Sequence, residues 1–206
     1  MSEPENSARK ITRVMPDLLH WTVQDDRIQF RSDSHAVREG DQCVLIDPLP
    51  LEEKILTELG HVGAICLTGS CHQRAAWRYR RRFGVKVYAP QGAEGLEETA
   101  DVSYGNGERL PGGLLAVHAP GPTRAHYALL LDGEGGTLFC ADILVNREGE
   151  LEFVPDKYMD EPGKTRDTAR KFLDLKFATL CFDHGAPMTK GAREAIERLL
   201  SKSPAG

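Results

Sequence analysis

Two near-continuous apolar runs, QCVLID at 42–47 and GAICLT at 63–68, constrain the fold more than any other feature of the chain. A run with no polar face reads as a strand buried on both sides. Helical patterns follow each run. One spans 50–59, opening at Pro50, carrying Glu52 and Glu53 where the helix dipole favours anions, and stopping at Gly60. The next spans 71–83, closes at Gly84 and leads into a third strand at 85–89 that Pro90 ends. Strand–helix–strand repeats of this kind imply parallel pairing through crossover helices.

The flanks are of a different kind. Residues 11–15, 18–23 and 27–30 read as consecutive strands, with Asp25 and Asp26 turning the chain between the last two. Beyond the parallel unit, 114–119, 125–132 and 137–141 are strands that need only hairpins between them, GEGG at 133–136 being one turn. A connecting segment with one short hairpin fills 143–162. A helix at 163–175, a strand at 178–182 and an amphipathic helix at 190–202 close the chain, the last with Thr189 as its cap and Ala192, Ile196, Leu199 and Leu200 on one face. The expectation is a layered α/β domain over 10–202, made of two β-rich halves that each end in helices, with tails at 1–9 and 203–206.

A chain of 206 residues can build a core without staples. Its net charge of −5 argues against general affinity for nucleic acid. No apolar run approaches the roughly 18 residues that a membrane span needs. Residues 1–10 lack the apolar segment of a secretory signal, so a cytoplasmic location is expected. Cys43, Cys66, Cys140 and Cys181 sit in apolar runs as small hydrophobes, whereas Cys71 lies among polar residues at a strand-to-helix turn.

Polar residues follow buried strands at four places: TGSCHQR at 68–74, APGPTRAH at 119–126, Ala141 with Asp142, and DHGAP at 183–187. Loops at strand ends converge on the ligand site in α/β folds, which nominates His72, His126, Asp142 and His184 as metal or acid/base candidates. His118 reads as structural, and His20, His35 and His61 carry no motif. Ser70 reads as the cap of the helix that follows. A Ser70, His184, Asp183 triad lacks the Gly-x-Ser-x-Gly elbow that would support it.

The order and context of these pieces resemble the metallo-β-lactamase superfamily over about residues 18–200. VLIDP at 44–48 is similar to that family's early strand ending in Asp, LTGSCHQRAAW stands where it carries Thr-His-x-His-x-Asp-His, and APGPTRAH where it carries Pro-Gly-His-Thr. LFCAD stands at the strand ending in Gly-Asp, and DHGAP at the final Gly-His-Gly. The resemblance implies a four-layer αβ/βα sandwich and, in most members, a hydrolase holding one or two zinc or iron ions. This chain departs from the pattern at the ligands. Gly69, Cys71, Gln73 and Arg74 stand where His, His, Asp and His would be, and Pro122 replaces the His of the second motif. Asp142 and His184 remain. A catalytic zinc takes three protein ligands, and a guanidinium in the same small pocket would repel it.

Two expectations follow. In the first, Arg74 occupies the space of the lost metal and pairs with Asp142, so that no carboxylate is buried unpaired. The protein is then a metal-free binding or regulatory protein, or a metal-independent enzyme, with His72, Arg74, Asp142 and His184 around a pocket for a small molecule. In the second, Cys71, His72, Asp142 and His184 hold a single zinc or iron ion in a hydrolase. Adjacent side chains at a helix start point about 100° apart, which works against Cys71 and His72 converging. His72 also falls on its helix's apolar stripe, as a buried, hydrogen-bonded residue of the pocket floor. The stretch RAAWRYRRR at 74–82 reads as a solvated helix face rather than a nucleic-acid surface, and the exposed aromatics allow a homodimer without requiring one.

Overall fold

The computed structural model describes residues 3–133 and 135–202. Strands β1 (Thr12–Met15), β2 (Leu18–Asp25), β3 (Phe30–Glu39) and β4 (Gln42–Ile46) form an antiparallel meander. The chain then passes through α1 (Glu53–Leu56) to β5 (His61–Cys66), and through α2 (Ala76–Phe83) to β6 (Lys86–Pro90) and β7 (Val102–Tyr104), which add in parallel. One seven-stranded sheet runs in sequence order from β1 to β7.

A second sheet holds β8 (Leu114–His118), β9 (Tyr127–Leu131), β10 (Thr137–Phe139) and β13 (Thr179–Cys181) in the order β13-β10-β9-β8. The hairpin β11 (Val145–Arg147) and β12 (Glu150–Glu152) precedes α3 (Pro162–Phe172), and α4 (Ala192–Lys202) ends the described chain.

Side-chain packing sets the layers. Trp21, Leu45, Ile65 and Val87 bury one face of the large sheet against Leu56, Trp77 and Tyr79 of the first helices. Val37, Ile46, Cys66, Ala116, Leu129 and Phe139 pack the two sheets together. Leu130, Leu138 and Leu180 bury the outer face of the small sheet against Ala169, Phe172, Ala195 and Ile196 of α3 and α4. The result is the helix–sheet–sheet–helix sandwich, four layers deep. Gly112 lets the sheets close: at φ +75°, a Cβ there would stand 2.9 Å from Val37 Cγ2.

Several elements differ from the sequence reading. Of the strand expected at 27–30, residues 27–29 are a turn, with Gln29 at φ +54°, and Phe30 opens β3, ten residues long. Its centre is Ser32, Asp33, Ser34 and His35, buried but polar, so no apolar alternation marks it. The helix expected over 71–83 is split. Ser70–His72 is a 3₁₀ turn, Arg74 has φ +42°, and the α-helix starts at Ala76. No side-chain hydrogen bond caps that turn, so Ser70 is not the cap expected of it. The helix at 50–59 is one α-turn and a 3₁₀ turn, Thr57–Leu59. Residues 3–9, read as tail, lie along the body: Ala8 is buried and its N–H donates to Pro50 O at 2.8 Å. The remaining tail residues, 1–2 and 203–206, lie outside the described residues. Cys43, Cys66, Cys140 and Cys181 are buried and free, and Cys71 is exposed. No helix among the described residues is long and apolar enough to cross a membrane.

Candidate functional site

The loops after β4, β5, β10 and β13 carry Asp47, His72 with Arg74, Asp142 and Asp183 with His184 to one end of the sandwich. Asp47 organises the rest. Its Oδ1 accepts the Thr68 N–H at 2.8 Å, and its Oδ2 accepts the Thr68 hydroxyl at 2.6 Å. With that proton committed, Thr68 Oγ1 can only accept from His72 Nδ1, 2.9 Å away. The other ring nitrogen, Nε2, donates to Asp142 Oδ2 at 2.9 Å. His72 therefore donates from both nitrogens and is an imidazolium, a protonation state assigned from its partners. Burial works against that charge, yet Asp183, then Cys71 and Asp142, hold its pKa well above the usual histidine value.

Arg74 is the second internal cation. It is 3% exposed and sits on a left-handed backbone, at φ +42°. Nη1 donates to Asp33 O at 2.8 Å and to Asp47 O at 3.0 Å, and Nη2 lies 3.2 Å from Asp183 Oδ2. The expected Arg74–Asp142 pair is thus corrected. Asp142 takes His72 as its close ion partner, because the loop carrying Asp142 lies over His72, while Arg74 points back beneath β3 toward Asp183. Asp183 Oδ2 also stands 3.1 Å from His72 Nδ1 and so bridges the two cations.

Three carboxylates thus surround two cations. Burial pushes Asp183 up to about 7 and raises Asp47, against the pull of His72 and Arg74 on both. Asp142 goes the other way: burial would raise it, but His72, by charge and hydrogen bond, and then His184 hold it well below the usual carboxylate range. The cluster is balanced when one of the buried acids keeps a proton near neutral pH, and Asp183 is the group placed to do so.

The edge toward solvent consists of Cys71, Asp142 and His184. His184 Nδ1 donates to Arg31 O at 2.8 Å, so in the neutral ring Nε2 is the lone-pair nitrogen. It lies 3.4 Å from Asp142 Oδ1, a buried atom with no hydrogen-bond donor among the described residues. Two acceptors therefore face each other, and a proton or a donor group brought by a ligand satisfies both. Burial lowers the His184 pKa, which favours the neutral ring. His126 follows the same design. Nδ1 donates to Ala119 O at 2.9 Å, Nε2 accepts the Asp142 N–H at 3.4 Å, and burial lowers its pKa to about 4.

Of the residues nominated from sequence, the structure brings His72, Arg74, Asp142, His184 and Cys71 together. The donor atoms of Cys71, His72 and Asp142 lie within 4.8 Å of one another, so Cys71 and His72 converge although they are neighbours in the Ser70–His72 turn. The Ser70 triad does not form: Asp183 faces His72 and Arg74, not His184. Sequence reasoning missed Asp33 and His20. Asp33 Oδ1 meets His20 Nε2 at 2.6 Å, and Oδ2 accepts the Gly185 N–H at 2.7 Å, which fixes the loop carrying His184. The signal was available in four consecutive polar residues, SDSH, between two strongly apolar strands.

The donor set decides which metal centre these residues could hold. A two-ion centre does not fit, since Gly69, Gln73 and Pro122 supply no good ligand and Arg74 places a permanent cation among the carboxylates. A single ion fits by donor type at Cys71, His72 and Asp142, which offer sulfur, nitrogen and oxygen.

The helix from Ala76 onward accounts for the remaining arginines. Arg78 pairs with Glu3, Arg80 with Asp101, Arg81 with Glu98 and Arg82 with Glu53.

Comparison with known proteins agrees with this architecture. The family model described as "Metallo-beta-lactamase superfamily" matches residues 10–188. None of the curated proteins compared matches the sequence. Among solved structures, DIM-1 metallo-β-lactamase is similar at 15% identity and TM-score 0.74, with 97% of this chain and 99% of that chain covered. A metallo-β-lactamase from Pontibacter korlensis is similar at 15% identity and TM-score 0.72, with 91% and 98% covered. An archaeal metallo-β-lactamase superfamily protein from Sulfolobus tokodaii is similar at 16% identity and TM-score 0.67, with 83% and 79% covered. At such identities the structural likeness speaks for the fold, and the family model, matching most of the chain, for membership. This chain belongs to the metallo-β-lactamase superfamily.

Proposed function

We propose that this protein is a metal-free member of its superfamily, in which His72 and Arg74 supply from within the chain the positive charge that ions supply elsewhere. One observation carries the reading. The Arg74 guanidinium, 3% exposed, donates to the carbonyls of Asp33 and Asp47 and pairs with Asp183 where the resemblance places a metal ligand. The site then binds a small polar molecule at the Cys71–Asp142–His184 edge. His184 Nε2 accepts a proton from a bound donor, and Asp142 steadies the imidazolium that results. The role is binding or regulatory, or a metal-independent proton transfer, in a cytoplasmic protein. Pairing of the arginines on the helix from Ala76 onward supports the reading that this face is not a nucleic-acid surface.

A second reading has its own observation. Cys71, His72 and Asp142 converge within 4.8 Å, and His184 fixes Nδ1 on a carbonyl, the usual orientation of a liganding imidazole. A zinc or iron ion there would lower the pKa of bound water and make the protein a hydrolase. Here His72 would lose its Nε2 proton to become a ligand, with Thr68 and Asp183 holding the proton on Nδ1.

Elemental analysis of the purified untagged protein, with Asp142→Ala and His184→Ala beside it, separates the two. The proposal expects metal far below one ion per chain in all three. Stoichiometric zinc or iron in the wild type, lost in both variants, overturns it in favour of the hydrolase.

A further inference from the structure

Beside the Cys71 edge lies a pocket of about 400 Å³, lined by Ser70, Thr123, Arg124, Glu94 and Asp160 together with small residues of the same loops. It adjoins the site on two sides, since Ser70 precedes Cys71 and the pocket residue Ala125 precedes His126. Its walls are tied down. Asp160 N–H donates to Pro122 O at 3.1 Å, Glu161 N–H to Gly121 O at 2.9 Å, and Ala93 N–H to Pro90 O at 3.1 Å. The segments come from the ends of β5, β6 and β8 and from the approach to α3, the end of an α/β sheet where ligands bind.

The charges in this pocket are the informative feature. Elsewhere the chain pairs its exposed arginines repeatedly: Arg80 with Asp101, Arg109 with Asp132, Arg166 with Asp156, Arg170 with Asp167. Arg124, Glu94 and Asp160 line one cavity, yet none of their side chains has an ion or hydrogen-bond partner among the described residues. Two carboxylates and one guanidinium held apart around a common space match a ligand carrying both signs. A phosphate would meet the two carboxylates, and a simple amine would leave Arg124 without a counterion. The volume falls in the range of roughly 300–1,000 Å³ typical of small-molecule sites.

We propose that this pocket is a subsite for a zwitterion of the amino-acid or short-peptide class. Arg124 pairs with the carboxylate of the ligand, in the forked geometry that a guanidinium offers. Glu94 and Asp160 take the ammonium, and the hydroxyls of Ser70 and Thr123 serve the amide or side-chain polar groups between. The bound molecule is thereby presented to the Cys71–Asp142–His184 edge. This rests on reading that edge as the functional mouth, but not on whether the mouth holds a metal.

The test titrates the full-length protein with trialanine, N-acetyl-trialanine and trialanine amide, following backbone amide shifts by NMR. Trialanine is expected to move the resonances of residues 70–71, 92–94 and 123–126 and to saturate, and blocking either terminus to weaken binding by about tenfold or more. Arg124→Ala is expected to erase the difference between the free acid and the amide, and Glu94→Gln with Asp160→Asn the difference between the free and acetylated amine. All three side chains are exposed, so the variants are expected to melt with the wild type. No saturable shift at millimolar trialanine, or discrimination that survives the substitutions, overturns the subsite. Metal content is measured separately, so a metal-loaded protein that still discriminates peptide termini overturns only the metal-free reading, and a metal-free protein that ignores them overturns only this one.

Discussion

Replacing Arg74 by Met tests the internal-cation reading most directly. The methionine keeps much of the apolar stem but removes the charge, the pair with Asp183 at 3.2 Å and the hydrogen bonds to Asp33 O and Asp47 O at 2.8 and 3.0 Å. Removing one partner of a buried ion pair costs about 3–5 kcal/mol, a large share of the roughly 5–15 kcal/mol that folds an ordinary domain. The hydrogen bonds lost at Asp33 O and Asp47 O, the latter still accepting from the Ser34 hydroxyl, fall within the same figure, because the effects of one side chain do not add independently. The loss also has a pH signature. Asp183, pushed to about 7 in the folded protein, holds a proton that the unfolded chain has already released, so its contribution to stability falls as pH rises and levels off above about 7. Without Arg74 that pKa moves higher, and the decline continues past 7. The deficit of the variant therefore grows by about 1.4 kcal/mol for each pH unit above 7, up to the new pKa, and is flat just below 7. Urea unfolding at pH 6, 7 and 8, followed through the buried Trp21 and Trp77, reads both quantities. Arg74→Lys, which keeps the charge without the fork, is expected to fall between wild type and Met. A loss under about 1 kcal/mol, or one that is the same at pH 7 and pH 8, would refute the argument that Arg74 neutralises this cluster.

Three further outcomes are expected. His126 is buried with its pKa lowered to about 4, so the stability it contributes is complete above about 6.5 and is lost as pH falls toward 4; His126→Asn should flatten the profile of unfolding free energy against pH in that window by about 1.4 kcal/mol per unit, read by urea unfolding, and an unchanged slope would show the ring to be protonated already. Gly185→Ala should destabilise by more than about 2 kcal/mol and perturb the His184 resonances, because φ is +123° and the new Cβ would sit 2.2 Å from Asn146 O; a thermal melt matching wild type would contradict it. Arg81→Ala should change stability by less than about 0.5 kcal/mol, since its pair with Glu98 is largely exposed, and a drop of about 2 kcal/mol in chemical unfolding would refute the reading of that pair as a solvated surface contact.

What could be read from the chain and what could not divide along one physical line. The strands QCVLI and HVGAIC announce themselves because burial on both faces selects apolar residues continuously, and the layered sandwich follows from where they fall. β3 was invisible for the opposite reason. Ser32, Asp33, Ser34 and His35 are buried yet polar, and the two central ones are met by partners distant in sequence, as Asp47 O meets the Ser34 hydroxyl at 2.5 Å and His20 meets Asp33. No local pattern encodes such partners. The same limit governs the site. That Asp142 and His184 share a pocket was legible from the order of the strand-end loops, but which cation meets which carboxylate was not. The choice depends on Arg74 adopting φ +42°, which turns its side chain under β3 toward Asp183 and leaves Asp142 to His72. A non-glycine residue in that backbone region is held there by its surroundings rather than by its own preference. The pairing is therefore a property of the assembled fold, and the strain at Arg74 is retained because its guanidinium answers two buried carbonyls and a carboxylate at once.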